Sequence, residues 1–269
     1  MDEQFIRVNN KAVRYFEMGQ PHKPCVFLLH GAFGSAKVQW AEVMPLFEDN
    51  YYVVAVDLPG FGGSEAIATT NADTLAEWTK QVLDTLGLDK VIIIGNLYGA
   101  LVGRIFAATY PAYVIALVMV NGGAIPSIPA MGKFLAKSPV IGNTIFKRLA
   151  KSEYNQSRLD MLFEDKLLLT DEFSRAVRQD QSALARIMRG LATAPSPQKR
   201  IPTAPVLLLW GEEDAIVTME TAKQIQGRIV QAKLSVISNT RHLPHIEAPD
   251  VFYYQVINFL KDELPENLF

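Results

Sequence analysis

The chain has 269 residues, 49% of them hydrophobic and 20% charged, which supplies one large buried core and excludes a disordered chain. Its 26 Lys and Arg nearly cancel its 28 Asp and Glu, and no basic cluster is interleaved with aromatics, so no nucleic-acid partner is expected. The single cysteine, Cys25, excludes an internal disulfide and a cysteine-built zinc site; within the apolar run Cys25 to Leu29 it reads as a small core hydrophobe.

From the start, Met1-Asp2-Glu3-Gln4 is acidic and lacks the basic start and apolar stretch of a signal peptide, and every apolar run is too short to span a bilayer. A cytoplasmic protein with no membrane partner is the expectation. Phe5 to Val8 and Val13 to Glu17, joined across Asn9-Asn10, read as an antiparallel edge hairpin. Runs rich in Val, Ile and Leu follow at Cys25 to Leu29, Tyr52 to Val56, Val91 to Ile94, Ile115 to Val120, Val206 to Trp210 and Leu234 to Ile237. Amphipathic stretches separate them: Lys37 to Phe47, Thr74 to Leu86, Ala100 to Tyr110 and Thr218 to Ile229, with Pro249 to Leu260 closing the chain. This alternation predicts an α/β fold with a mostly parallel sheet flanked by helices.

Between Gly122 and Pro202 the strand-like runs stop and helical patterns remain, punctuated by Pro126, Pro129 and Pro139 at entry and by Pro195, Pro197 and Pro202 at return. The expected organisation is therefore a core of 1–121 and 203–269 with a helical cap inserted at 122–202. The cap charges Lys133, Lys137, Lys147, Arg148 and Lys151 read as a solvated helix face.

Ile94-Gly95-Asn96-Leu97-Tyr98-Gly99-Ala100 follows a strand and precedes a helix. It resembles the nucleophile elbow of the α/β-hydrolase fold family, Gly-x-Ser-x-Gly, with Leu97 at the nucleophile position. Four further segments, in the family's order, extend the resemblance over nearly the whole chain. Leu29-His30-Gly31-Ala32-Phe33-Gly34 resembles the loop that supplies one oxyanion-hole amide, which the resemblance assigns to Ala32, with the second from Tyr98. By the same resemblance His30 braces the loop and Phe33 is a candidate substrate contact. Asp57-Leu58-Pro59-Gly60-Phe61-Gly62-Gly63-Ser64 resembles a structural glycine-rich turn, so Asp57 and Ser64 are poor catalytic candidates.

Leu209-Trp210-Gly211-Glu212-Glu213-Asp214 looks like the loop presenting the triad acid, with Asp214 at the acid's position and Glu212 and Glu213 as loop carboxylates. His242-Leu243-Pro244-His245 resembles the segment presenting the triad histidine, His242, while His245 reads as packing at a helix start. The chain order 97, 214, 242 is that of this fold and not of other triad enzymes. In the family's chemistry Asp214 orients His242, His242 is the general base and acid, and the amides of Ala32 and Tyr98 receive negative charge.

Leucine has no nucleophilic atom, so a covalent intermediate at position 97 is excluded. Neither neighbour replaces it: the elbow points Tyr98 away, and Ser35 begins a helix, where capping is its expected role. Arg241 stands where the family commonly has Gly; it reads as a solvated side chain, or as a cation that lowers the pKa of His242 or contacts an acidic substrate. No metal or organic cofactor is expected, and the implied partner is a small-molecule substrate or ligand.

Three readings of Leu97 remain open at this point. It silences an otherwise ordinary serine hydrolase of esters or carbon–carbon bonds. Alternatively, His242 and Asp214 run a non-hydrolytic reaction, such as that of a lyase, isomerase, decarboxylase or cyclase. The third is a binding protein or receptor that traps a ligand beneath the cap.

Overall fold

A computed structural model describes residues 1–124, 128–193 and 200–265, so the expected cap markers Pro126, Pro195 and Pro197 lie outside the described residues. The chain opens with the hairpin β1 (Asp2–Val8) and β2 (Lys11–Met18), turned by Asn9 and Asn10, both at positive φ. Three further strands alternate with helices: β3 (Cys25–Leu29), α1 (Ala36–Trp40), α2 (Met44–Phe47), β4 (Tyr52–Val56), α3 (Ala72–Leu86) and β5 (Val91–Asn96). After α4 (Tyr98–Thr109) and β6 (Val114–Val120) come five helices: α5 (Ala130–Lys137), α6 (Pro139–Glu153), α7 (Gln156–Leu159), α8 (Asp171–Gln179) and α9 (Gln181–Thr193). The chain then returns to the sheet with β7 (Val206–Gly211), α10 (Met219–Gln226), β8 (Lys233–Ile237), α11 (Pro244–Glu247) and α12 (Pro249–Glu263).

Local chemistry sets these boundaries. Asn71 caps α3 by accepting from the Thr74 amide at 2.9 Å, and Gly87, left-handed at φ 69°, ends it. The single helix expected over Lys37 to Phe47 is two short ones, because the chain turns through Ala41–Val43 and restarts with Pro45 in the first turn of α2, where its missing N–H leaves no gap.

The eight strands run in the order β1-β2-β4-β3-β5-β6-β7-β8, antiparallel for the first two pairings and parallel for the rest. The strands β3 to β7 are apolar on both faces, as burial beneath helices on either side requires. From β3 the chain moves outward to β4 and then returns across β3 to β5 on its other side. That reversal opens a crevice at the carboxyl ends of β3 and β5, the place where open α/β sheets bind ligands. A third apolar cluster, separate from those on the two sheet faces, joins Ala32, Phe33 and Leu243 to Phe146, Tyr154 and Leu162 of the segment between β6 and β7.

Candidate active site

Leu97 sits between β5 and α4 at φ 44° and ψ −99°, outside the backbone regions open to a branched L residue. Its amide donates to the Val120 carbonyl at 2.9 Å, and its carbonyl accepts from Gly123 at 3.2 Å and Leu101 at 3.3 Å. Two glycines let the chain close around it. A Cβ on Gly99 would lie 2.1 Å from the Leu29 carbonyl oxygen, and one on Gly122 would lie 2.3 Å from the Leu97 Cα. The Leu97 side chain is half-buried against the apolar cluster that contains Ala32 and Phe33.

The His30–Gly34 loop is held by side chains on both flanks. His30 is fully buried; its Nδ1–H donates to the Gly31 carbonyl at 2.7 Å, and its Nε2 accepts from the Leu58 amide at 2.9 Å. Burial lowers its pKa, which suits a neutral ring with one donor and one acceptor. Gln39 accepts from the Gly31 amide at 2.8 Å and donates to the Phe33 carbonyl at 2.9 Å, while the cap residue Tyr154 donates its hydroxyl to the Ala32 carbonyl. The amides of Ala32 and of Tyr98, the first residue of α4, have no acceptor among the described residues. Tyr98 itself turns away and donates its hydroxyl to the Thr70 carbonyl at 2.7 Å. Ser35 occupies the N-cap of α1, but its hydroxyl does not make the expected capping bond.

Asp214 and His242 meet beyond the carboxyl ends of β7 and β8. The His242 Nδ1–H donates to Asp214 Oδ2 at 2.9 Å, and the ring is fully buried, edge-on to Phe33 with centroids 5.5 Å apart. Asp214 Oδ1 accepts from the amides of Ile216 at 2.7 Å and Val217 at 3.0 Å. Burial pushes the Asp214 pKa up, but the His242 ring and these amides outweigh it and leave the carboxyl below its ordinary range. The other ring nitrogen, His242 Nε2, is buried without a hydrogen-bond partner among the described residues.

The remaining residues singled out from the sequence have structural roles. Asp57 accepts from the amides of Ala36 and Gly63 and pairs with Arg14 Nε at 2.6 Å, and Ser64 accepts from the Arg14 amide. His245 is buried against Trp40, and burial lowers its pKa to about 3. Burial raises the Cys25 thiol far above its ordinary range. Arg241, expected to face solvent, His242 or an acidic substrate, has its guanidinium committed to the cap carboxylate Glu164 at 2.5 Å.

Three supports had not been expected from the sequence. Asn121, left-handed at φ 43° at the end of β6, donates through Nδ2 to Asp214 Oδ2 at 2.5 Å and to the Arg241 carbonyl at 2.9 Å. Through Oδ1 it accepts from the Gly211 amide at 2.9 Å, which ties the end of β6 to the loops that carry Asp214 and His242. The Asn-Gly-Gly sequence after β6 was the available signal, since Asn tolerates positive φ. Glu247 accepts from the amides of Arg241 and Glu164, and Leu162 accepts from the His242 amide at 3.1 Å. Neither support had a sequence signal, because each is completed by a segment far away along the chain, Glu164 for Glu247 and Leu162 for His242. Among the described residues no group of three His, Cys, Asp or Glu is placed to hold a metal ion.

A family model for the alpha/beta hydrolase fold matches residues 24–249. The chain belongs to that family. It is 30% identical to a 2-hydroxy-6-oxononadienedioate/2-hydroxy-6-oxononatrienedioate hydrolase of Klebsiella pneumoniae, over 88% of this chain and 87% of that relative. It is 26% identical to epoxide hydrolase 4 of Mus musculus, over 96% of this chain and 79% of that relative. Among solved structures, a thermophilic esterase from Thermogutta terrifontis superposes with a TM-score of 0.79 at 20% identity, covering 97% of this chain and 99% of its own, which is a likeness of fold. Among the described residues no helix is long and apolar enough to cross a membrane.

Proposed function

We propose that this chain carries the scaffold of a serine hydrolase for a small organic ester or carbon–carbon bond, and that Leu97 silences it for covalent turnover. The observation that carries the reading is the backbone at position 97. A leucine held at φ 44° and ψ −99° costs about 1–3 kcal/mol, a strain kept where an apical side chain must be thrust toward a base. The base is His242, its Nε2 unpartnered and its tautomer set by Asp214. The free amides of Ala32 and Tyr98 supply the place for a developing oxyanion, and Phe33 flanks the His242 ring. Arg241, tied to Glu164, would contact substrate only by exchanging that partner.

With serine at position 97, His242 Nε2 would take the hydroxyl proton as oxygen attacks the substrate carbonyl, then return it to the leaving group. Leucine removes the attacking oxygen and leaves the rest in place. The relatives are hydrolases of small molecules, which supports that substrate class.

The unpartnered Nε2 also favours a second reading, in which His242 moves a proton on a bound substrate in a lyase or isomerase reaction without a nucleophile. Acid–base catalysis of this kind contributes about 10² to 10⁴ in rate.

Hydrolysis of p-nitrophenyl acetate by the chain as it stands, by Leu97→Ser and by Leu97→Ser with His242→Ala tests the first reading. Leu97→Ser is expected to raise turnover on the order of 10³-fold or more, and the added His242→Ala to abolish the gain. A folded Leu97→Ser protein with no ester turnover overturns it. His242-dependent conversion of a non-ester substrate by the unaltered chain would favour the second reading, and ligand binding indifferent to His242→Ala a receptor.

A further inference from the structure

A cleft of about 460 Å³ lies between the cap helices α6 and α9 and the core loop at Ala68–Thr70, and none of Leu97, Asp214, His242 or Phe33 lines it. Helix α9 turns one face into it: Ser182, Ala185, Arg186, Arg189 and Thr193 recur at helical spacing. Opposite stand Asn143, Phe146 and Lys147, again at spacings of three and four. The charged side chains among the described lining residues are Lys147, Arg186 and Arg189, with no carboxylate among them.

These cations are not neutralised elsewhere. None of the three forms an ion pair among the described residues. Arg189 is held rigidly by neutral groups, donating through Nε to the Ala136 carbonyl at 2.8 Å and through Nη1 to Asn143 Oδ1 at 2.8 Å. Its charge is positioned but not compensated. Arg186 is only partly exposed, and its Nε is buried with no hydrogen-bond partner among the described residues. Burial lowers the pKa of this arginine, as expected of a guanidinium with no carboxylate beside it.

We propose that this cleft binds a small organic anion, its carboxylate or phosphate head held by Arg186 and Lys147 in the field of the fixed Arg189 charge, and a short apolar chain lying against Phe146. Arginine forks match oxyanions in two parallel hydrogen bonds, and the volume falls in the range of small-molecule sites. The wall is shared between the cap helices and the core loop, so an occupant would pin one to the other. Neither Asp214 nor His242 is among its lining residues.

Calorimetric titration at constant ionic strength with hexanoate, inorganic phosphate and neutral hexanamide tests it. Hexanoate or phosphate, or both, should bind and hexanamide should not; which anion binds more tightly identifies the head group. Arg186→Gln and Lys147→Gln should each weaken binding about tenfold or more. Lys147 is exposed, so its variant keeps the test sound if Arg186→Gln fails to fold. Failure of both anions to bind, equal binding of hexanamide, or binding unchanged in Lys147→Gln and in folded Arg186→Gln overturns the proposal.

Discussion

The acid–histidine corner and the elbow lie at the same edge of one sheet and are built on opposite terms. At the corner every oxygen of Asp214 has partners: two backbone amides on Oδ1, Asn121 and His242 on Oδ2. Its backbone neighbours are tied by Asn121 as well, so the geometry is held by satisfied hydrogen bonds. The elbow stores strain in its backbone and ends in a side chain without polar atoms. A corner of this kind stabilises the fold whether or not it turns over substrate. A strained apex is useful only through what it presents, and for that reason position 97 carries the functional question.

The largest test of this contrast is the gain of ester turnover on Leu97→Ser. Next in size, Asn121→Ala should cost about 3 kcal/mol, read from the urea midpoint, because it leaves the Gly211 amide and the Arg241 carbonyl buried without that partner. A loss below about 1 kcal/mol would mean the corner is not held by this residue.

A pH effect of similar size is expected from Asp180, between α8 and α9, which accepts from the core amide of Gly62 at 3.0 Å. Burial first, with the nearby Asp57 charge, raises its pKa to about 6. The folded form therefore keeps a proton that the unfolded chain, at about 3.9, has released. Stability should fall by up to about 3 kcal/mol as pH rises from about 4 to 6, and Asp180→Asn should flatten that slope in equilibrium unfolding. The sign at the corner is opposite: with its pKa lowered, Asp214 stabilises above the ordinary carboxylate range and loses that contribution as pH falls.

Strain at the elbow is measurable by comparing Leu97→Ala with Leu97→Gly. At an ordinary position glycine is the less stable by about 0.5–1 kcal/mol; here it should be the more stable by about 1 kcal/mol, since both lose the same packing and only glycine accepts φ 44° freely. The usual order would show that the backbone at 97 is unstrained. Smallest of all, Glu164→Gln should lower stability by under 1 kcal/mol, and less at high salt, because the Arg241–Glu164 pair is partly exposed. A thermal melt at two salt concentrations checks it.

The alternation of apolar runs and amphipathic stretches was enough to read the α/β class, and the resemblance of the elbow, acid and histidine segments to the family's own pointed to Leu97, Asp214 and His242. Both signals are local, carried by residues a few positions apart that respond to one strand or one turn. The partners of Asn121 and Tyr154 were out of reach of such reading. Each residue acts on a partner that folding brings to it, across 93 positions for Asn121 and Asp214 and across 122 for Tyr154 and Ala32.

Arg241 shows the same divide within one residue. Its departure from the family's usual small residue was legible, yet its partner, Glu164, lies 77 positions away in the cap. The sequence alone determined that position 97 has no nucleophile, because side-chain identity is covalent. Tertiary structure decided that leucine there still occupies a strained apex and that His242 Nε2 has no partner among the described residues, because both depend on how β5, β6 and the cap close around one crevice.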